Sequence, residues 1–447
     1  MSGAGKTVFV TALIHGLLHP DYLNSLNAVR DQRYRAALLR PQPHQHLPRF
    51  PYEESVEQLA GAATGEPRWP HSTRRMAELR VSIRYRPRGL SGQLGERVLH
   101  LDLFDYPGEW LLDLALLDYD YTRWSAEVLA AAQETGQRAQ AAEFLDYVGT
   151  LAPDKPDRLA ESRAMEAAAR FKAYLSAYRG EQGRTGLLQP GRFLMPGDLE
   201  GSPLLTFAPL PAPAPDKSGW GKSGRAPSGS LRRMMEDRYQ AYLDKVVRPF
   251  HSEHFARLDR QIVLVDLIGH LARGAPGMAR LDEELDGVQQ ALRVGSGWLP
   301  RLIQPRIERV LFAASKADHL PSDQHEALAA LLRRAVDKSL RRSTFQGAET
   351  DVTALASVRA TREVTVAHRP GRRYLAGQPL NAAQELAHFP GTLPTLEEIA
   401  RADERSAAEA LFEATAFRPP QGLAVDAPWP HLRLDRALEF LIGDRLA

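Results

Sequence analysis

The residues best suited to chemistry stand at the front of the chain, where Ser2-Gly3-Ala4-Gly5-Lys6-Thr7 runs into the apolar stretch Val8 to Ile14. Gly-Lys-Thr ahead of an apolar helix is how a phosphate-binding loop ends. Glycines let successive backbone N–H groups turn inward on a phosphate, and the helix N-terminus adds the positive end of its dipole. In that reading Ser2, Gly3, Ala4 and Gly5 line the loop, Lys6 reaches the β- and γ-phosphates, and the Thr7 hydroxyl takes a position on Mg²⁺. The leading glycine of the full pattern would fall one residue before Met1, and the strand expected ahead of the loop would also lie upstream. The expectation is therefore that in-frame codons before Met1 encode an apolar strand ending in glycine.

Three further groups follow in a fixed order. Asp105-Tyr106-Pro107-Gly108-Glu109 comes at the end of an apolar run, Val98 to Phe104. A strand-end aspartate followed by a glycine three residues on suits a carboxylate that holds Mg²⁺ and an N–H that senses a γ-phosphate. Glu109 stands where a water-orienting side chain would be, and is equally readable as a surface charge or a cap. Next, Ser315-Lys316-Ala317-Asp318 closes the apolar run Val310 to Ala314. An aspartate there can accept from guanine N1 and the 2-amino group while the lysine stem covers the base. Adenine would leave that carboxylate unpaired, which is costly. Last, Ala356-Ser357-Val358 ends another strand-like run, at a place for backbone N–H groups of Ser357 and Val358 to meet the guanine O6. The hydroxyl that completes a Mg²⁺ site should precede the first hairpin strand, and Thr73 is the candidate, with Ser72 second.

These groups need a scaffold. Alternation in Leu79 to Arg86 and in Val98 to Phe104, joined through Arg88 to Gly92, predicts a hairpin. The continuous apolar runs Ile262 to Val265 and Val310 to Ala314 predict buried parallel strands. The stretch from Leu111 to about Arg184 is rich in Ala, Leu, Glu and Arg and predicts helices, as does Leu231 to about Asp259. Between them, 208–230 is a Pro/Gly/Ser-rich loop. His44 and His46 read as a solvated pair. The expected fold is α/β, a P-loop NTPase of G-domain type with a mostly parallel sheet and a large α-helical insertion. Residues 1–110 and 260–447 would form the nucleotide-binding domain and 111–259 the insertion.

Composition removes other classes. With 57 basic against 55 acidic residues among 447, the charge is close to balanced and gives no general argument for nucleic acid or anionic lipid. It has no cysteine, which excludes disulfides and thiolate chemistry and fits a reducing cytoplasm. No apolar stretch is long enough to span a membrane, so membrane contact would be made through a partner.

The blocks Gly3 to Leu13, Asp105 to Leu114, Pro190 to Gly201, Asp259 to Asp266 and Leu432 to Leu441 resemble the YcjX-like P-loop proteins of bacteria across essentially the whole chain. The resemblance implies GTP/GDP binding with Mg²⁺, GTP hydrolysis, a helical insertion, a link to stress responses, and room for an inner-membrane partner protein. Alternatives left open by the residues alone are an ATPase of similar fold and a non-catalytic nucleotide-dependent scaffold.

Overall fold

The computed structural model describes residues 4–71, 73–89, 92, 95–134, 138–182, 190–212, 225–293, 307–345, 347–366, 372–395, 397–398 and 414–447. The chain forms two compact units. The first comprises 1–106, 259–281 and 307–447; the second comprises 107–258 and 282–306.

The first unit is mixed α/β. Its strands are β1 (Tyr34–Arg40), β2 (Ala77–Tyr85), β3 (Arg97–Asp105), β4 (Arg260–Val265), β5 (Arg309–Ala314), β6 (Glu349–Ala354), β7 (Arg362–Thr365), β8 (Arg373–Gly377) and β9 (Leu386–His388). Among the described residues they form three three-stranded sheets in the orders β1-β2-β3, β4-β5-β6 and β7-β8-β9. Only β4-β5-β6 is parallel; the others are antiparallel. A single mostly parallel sheet is thus not what the described residues show. The predicted hairpin is present as β2 and β3, with Leu79 opposite Leu103 and Ile83 opposite Leu99. The strand β1 was hidden in sequence because Arg35 and Arg40 flank its apolar residues, and among the described residues it pairs with β2 alone. An edge strand carries such charges readily.

Helix α1 (Lys6–Leu18) starts at Gly5, whose φ of 80° is left-handed and suits glycine. Its buried residues, Phe9, Leu13, Ile14 and Leu17 among them, face several directions, as a helix enclosed by other elements requires. Each such side chain contributes about 1.5–3 kcal/mol by leaving water. They share a core with Leu79, Val81 and Ile83 of β2, Leu264 of β4 and Leu311 of β5. Helix α2 (Tyr52–Ala60) and helix α3 (Leu434–Ile442) cover the same core through Val56, Leu59, Leu438 and Leu441.

His15 ties α1 down. Its Nε2 lies 2.7 Å from the Ala427 carbonyl oxygen and its Nδ1 3.0 Å from the Tyr52 hydroxyl. Burial lowers its pKa to about 4, so the ring is neutral. A carbonyl only accepts, hence Nε2 donates and Nδ1 takes the tyrosine proton. His44 is likewise no free loop histidine: its Nδ1 is 3.0 Å from the fully buried Glu78 carboxylate, which corrects the solvated-pair expectation.

The second unit is helical, with Tyr121–Gln133, Arg138–Gly149, Ala160–Gln182 and Leu231–Tyr242 as its longer members. Asp120 and Ser230 cap the first and last of these through side-chain oxygens. Its core is aromatic: Trp124 stacks on Tyr239 at 5.0 Å and meets Phe171 and Phe207 edge-on. Among the described residues no helix is long and apolar enough to cross a membrane.

Candidate functional site

The first unit presents two clusters of polar groups. In one, α1 supplies Thr7, the segment before β2 supplies Thr73, and the last residue of β3 supplies Asp105. The Thr7 and Thr73 hydroxyl oxygens are 2.9 Å apart, and Thr73 Oγ1 donates to Asp105 Oδ2. A threonine has one hydroxyl proton; with Asp105 ionised, Thr73 gives its proton to the carboxylate and Thr7 donates to Thr73. Asp105 is buried, 3 % exposed. Burial raises its pKa, opposed by the Thr73 hydrogen bond, the Lys6 charge and the Thr7 hydroxyl.

Register explains why these residues meet. Asp105 is the last β3 residue in the ladder, opposite Ala77 of β2, so the chain just before β2 passes its carboxylate. The amino end of α1 has no side-chain cap, which leaves first-turn N–H groups available to an outside acceptor. A Cβ built on Gly5 would meet nothing within 4 Å, so the space beside Gly5 is open. Ala4 is buried and Lys6 half-buried. Ser2, Gly3 and Ser72 lie outside the described residues. Three oxygen donors converging beside an uncapped helix start fit the hard-ligand chemistry of Mg²⁺ with phosphate.

The second cluster lies at the carboxyl ends of β4, β5 and β6, which end in register at Val265, Ala314 and Ala354. Ser315 N–H donates to the Val265 carbonyl oxygen at 2.9 Å and its hydroxyl to the same atom at 3.2 Å. Lys316 has a left-handed φ of 60°, and its ammonium is 2.6 Å from Asp266. Asp318 is 5 % exposed; its Oδ2 accepts from Ala360 N–H at 2.7 Å, and its carbonyl oxygen accepts from the Thr361 hydroxyl. Val358 is buried and Ser357 half-buried. The amides flanking this pair, Ala356 and Arg359, donate to Leu432 and Pro430 carbonyls at 3.0 and 2.8 Å. The loop is thereby held at both ends.

Gly108 and Glu109 belong to the second unit, in the short turn Gly108–Trp110. Glu109 is 9 % exposed, so it is no surface charge. Its carbonyl oxygen lies so near Gly191 that an added Cβ there would stand 1.9 Å from it. The Gly191 N–H donates at 2.7 Å to Asp113, whose pKa burial raises to about 7 against the Arg192 charge and neighbouring amides. The residue of these clusters that sequence reasoning passed over is Asp266. Its only signal was its place directly after a buried strand.

A mixed α/β unit that gathers its polar groups at strand ends and at a helix start defines a class of ligand-binding proteins. Comparison with known proteins narrows the class. The chain matches the YcjX-like family, DUF463, over residues 1–446, and it belongs to that family. It is 37 % identical over 461 residues to the "Ras-like GTPase YcjX" of Escherichia coli (strain K12), covering 100 % of this chain and 94 % of the relative. It is 34 % identical over 478 residues to the protein of the same description from Shewanella oneidensis, covering 100 % and 93 %.

Proposed function

We propose that this chain is a guanine-nucleotide-binding protein of P-loop fold that hydrolyses GTP and works as a switch on a partner protein. The observation that carries the reading is the run of hydrogen bonds Thr7–Thr73–Asp105 at the open start of α1. The names of the family relatives support the choice of GTP. In this reading residues 1–110 and 260–447 form the nucleotide domain and 111–259 the helical insertion. The partner, at the inner membrane in the family expectation, would be met from the cytoplasmic side.

Ser2 to Thr7 would cradle the phosphates with backbone N–H groups, and Lys6 would place its charge against the β- and γ-phosphates. Thr7, Thr73 and Asp105 would hold Mg²⁺, which supplies charge neutralisation on the phosphate oxygens when bound. Asp105 must be ionised for this, which its Lys6 and threonine neighbours favour against burial. At the other end, Ser315, Lys316 and Asp318 would take the base, Asp318 accepting from guanine and the Ser357 and Val358 amides facing the O6.

Fluorescent GTP and ATP analogues titrated into the full chain test the reading, together with Mg²⁺-dependent phosphate release. Tighter binding of GTP and phosphate release faster than in Lys6→Ala are expected. A preference for ATP rejects guanine recognition, and release no faster than in Lys6→Ala leaves a nucleotide-dependent scaffold.

A further inference from the structure

Asp266 sits in the base-side cluster with a charge and geometry that the roles above do not use. We infer that Asp266 is a positioning residue that pins the Lys316 side chain as one wall of the slot for the purine base; the inference rests on the guanine-nucleotide reading. Val265 pairs with Ala314 in the parallel ladder, so Asp266 leaves β4 beside the point where Ser315 and Lys316 leave β5.

Both carboxylate oxygens are engaged. Oδ2 takes the Lys316 ammonium at 2.6 Å, while Oδ1 accepts from Gly269 N–H at 3.1 Å and so caps the short helix Leu267–Leu271. A Cβ built on Gly269 would lie 2.8 Å from Oδ2, so a glycine there gives the carboxylate its place. The lysine is fixed at its other end as well. Ser315 N–H is bonded to Val265 and Ala317 N–H to Leu355 at 3.0 Å, which sets the backbone on either side of Lys316.

A lysine stem has four rotatable bonds and presents no defined surface while its ammonium is free. Held at both ends, the stem becomes a fixed apolar strip of the kind a flat ring can lie on. The pair is only partly sheltered, with side-chain exposures of 37 % for Lys316 and 21 % for Asp266. An ion pair that open adds little to folding. Its consequence is therefore expected in nucleotide affinity and not in melting.

Asp266→Asn isolates the charge, since asparagine is as good a helix cap as aspartate. In the full chain, affinity for a fluorescent GDP analogue is expected to fall about tenfold, the loss of one charge-assisted bond's positioning. KM for GTP should rise by the same factor while kcat stays within about twofold, the pattern of lost ground-state binding. The melting temperature should not move. In a Lys316→Ala background, Asp266→Asn should add nothing further, because the two act as one unit. Wild-type affinity in Asp266→Asn, or a full additional loss in the Lys316→Ala background, overturns the assignment alone. A wild-type chain that fails to bind the GDP analogue overturns the guanine-nucleotide reading itself and the assignment with it.

Discussion

The two polar clusters of the first unit are built on opposite plans. At the start of α1, Thr7, Thr73 and Asp105 satisfy one another, side chain to side chain. Beyond the ends of β4 and β5, Ser315 and Asp318 are bonded to backbone groups of Val265 and Ala360, and Lys316 is bonded to a carboxylate that also caps a helix. Backbone partners do not swing as side chains do; hydroxyl and carboxylate partners can be exchanged. Ser315 and Asp318 are thus held in place, whereas Thr7, Thr73 and Asp105 hold bonds that an incoming group could replace.

Substitutions can break that contrast, and the largest effect is expected on the side held in place. In the proposed guanine site, Asp318→Asn would keep an oxygen for Ala360 N–H yet lose the acceptor pair for guanine. Affinity for GTP should fall by roughly 10³, as when a site built for a hydrogen-bonded group loses its match. Affinity for XTP, whose base carries an oxygen in place of the 2-amino group, should rise, as read by competition titration. Equal affinity for GTP in the variant would remove Asp318 from the base site.

Asp105→Asn comes next, with an effect of opposite sign on stability. Phosphate release should fall about 10²-fold, the scale of one lost electrostatic contact at a reacting centre. Stability should rise at neutral pH. The folded-state carboxyl titrates above its ordinary value because it is buried. The folded chain then holds that proton more tightly than the unfolded chain, and stability falls as pH rises through the folded value. Asparagine escapes that loss, so the gain in melting temperature should be present at pH 8 and shrink as pH is lowered towards the unfolded carboxylate value. A variant less stable than the wild type at pH 8 would mean that the carboxylate is fully compensated.

Smaller changes sharpen the picture. Thr73→Val removes the middle of the three-residue chain and should slow phosphate release about tenfold, with little change in affinity for GDP. Ser315→Ala should be the mildest. It removes a buried hydroxyl bonded to Val265, so about 1 kcal/mol of stability is expected to go, measured by denaturant unfolding, with GTP selectivity intact. A selectivity change would show that the hydroxyl reads the base.

Much of the scaffold was legible. The hairpin strands follow from period-2 alternation, and the buried strands β4 and β5 and the helix after Lys6 from continuous apolar runs, because those patterns reflect burial directly. Strand β1 was not legible, since arginines at 35 and 40 bracket a run of two alanines and two leucines that has no period-2 pattern. Nor was the division of strands into three sheets, because pairing depends on segments far apart in sequence. Glu109 read as a possible surface charge, yet it is buried against the Gly191 segment, whose own sequence gives no hint of a partner.

The sequence by itself determined the local chemistry: a glycine that permits a left-handed turn at Gly5, a lysine and threonine at a helix start, and carboxylates placed just after apolar runs. These are short-range facts, set by backbone sterics and by the burial of a strand. Only the tertiary structure decided which groups meet. Thr7 and Thr73 are 66 residues apart, and Thr73 and Asp105 are 32 apart; the hairpin register and the packing of α1 into the shared core bring them within hydrogen-bonding distance. Lys316 and Asp266, 50 residues apart, meet because β4 and β5 end in register, a condition that parallel pairing imposes and that neither segment carries alone.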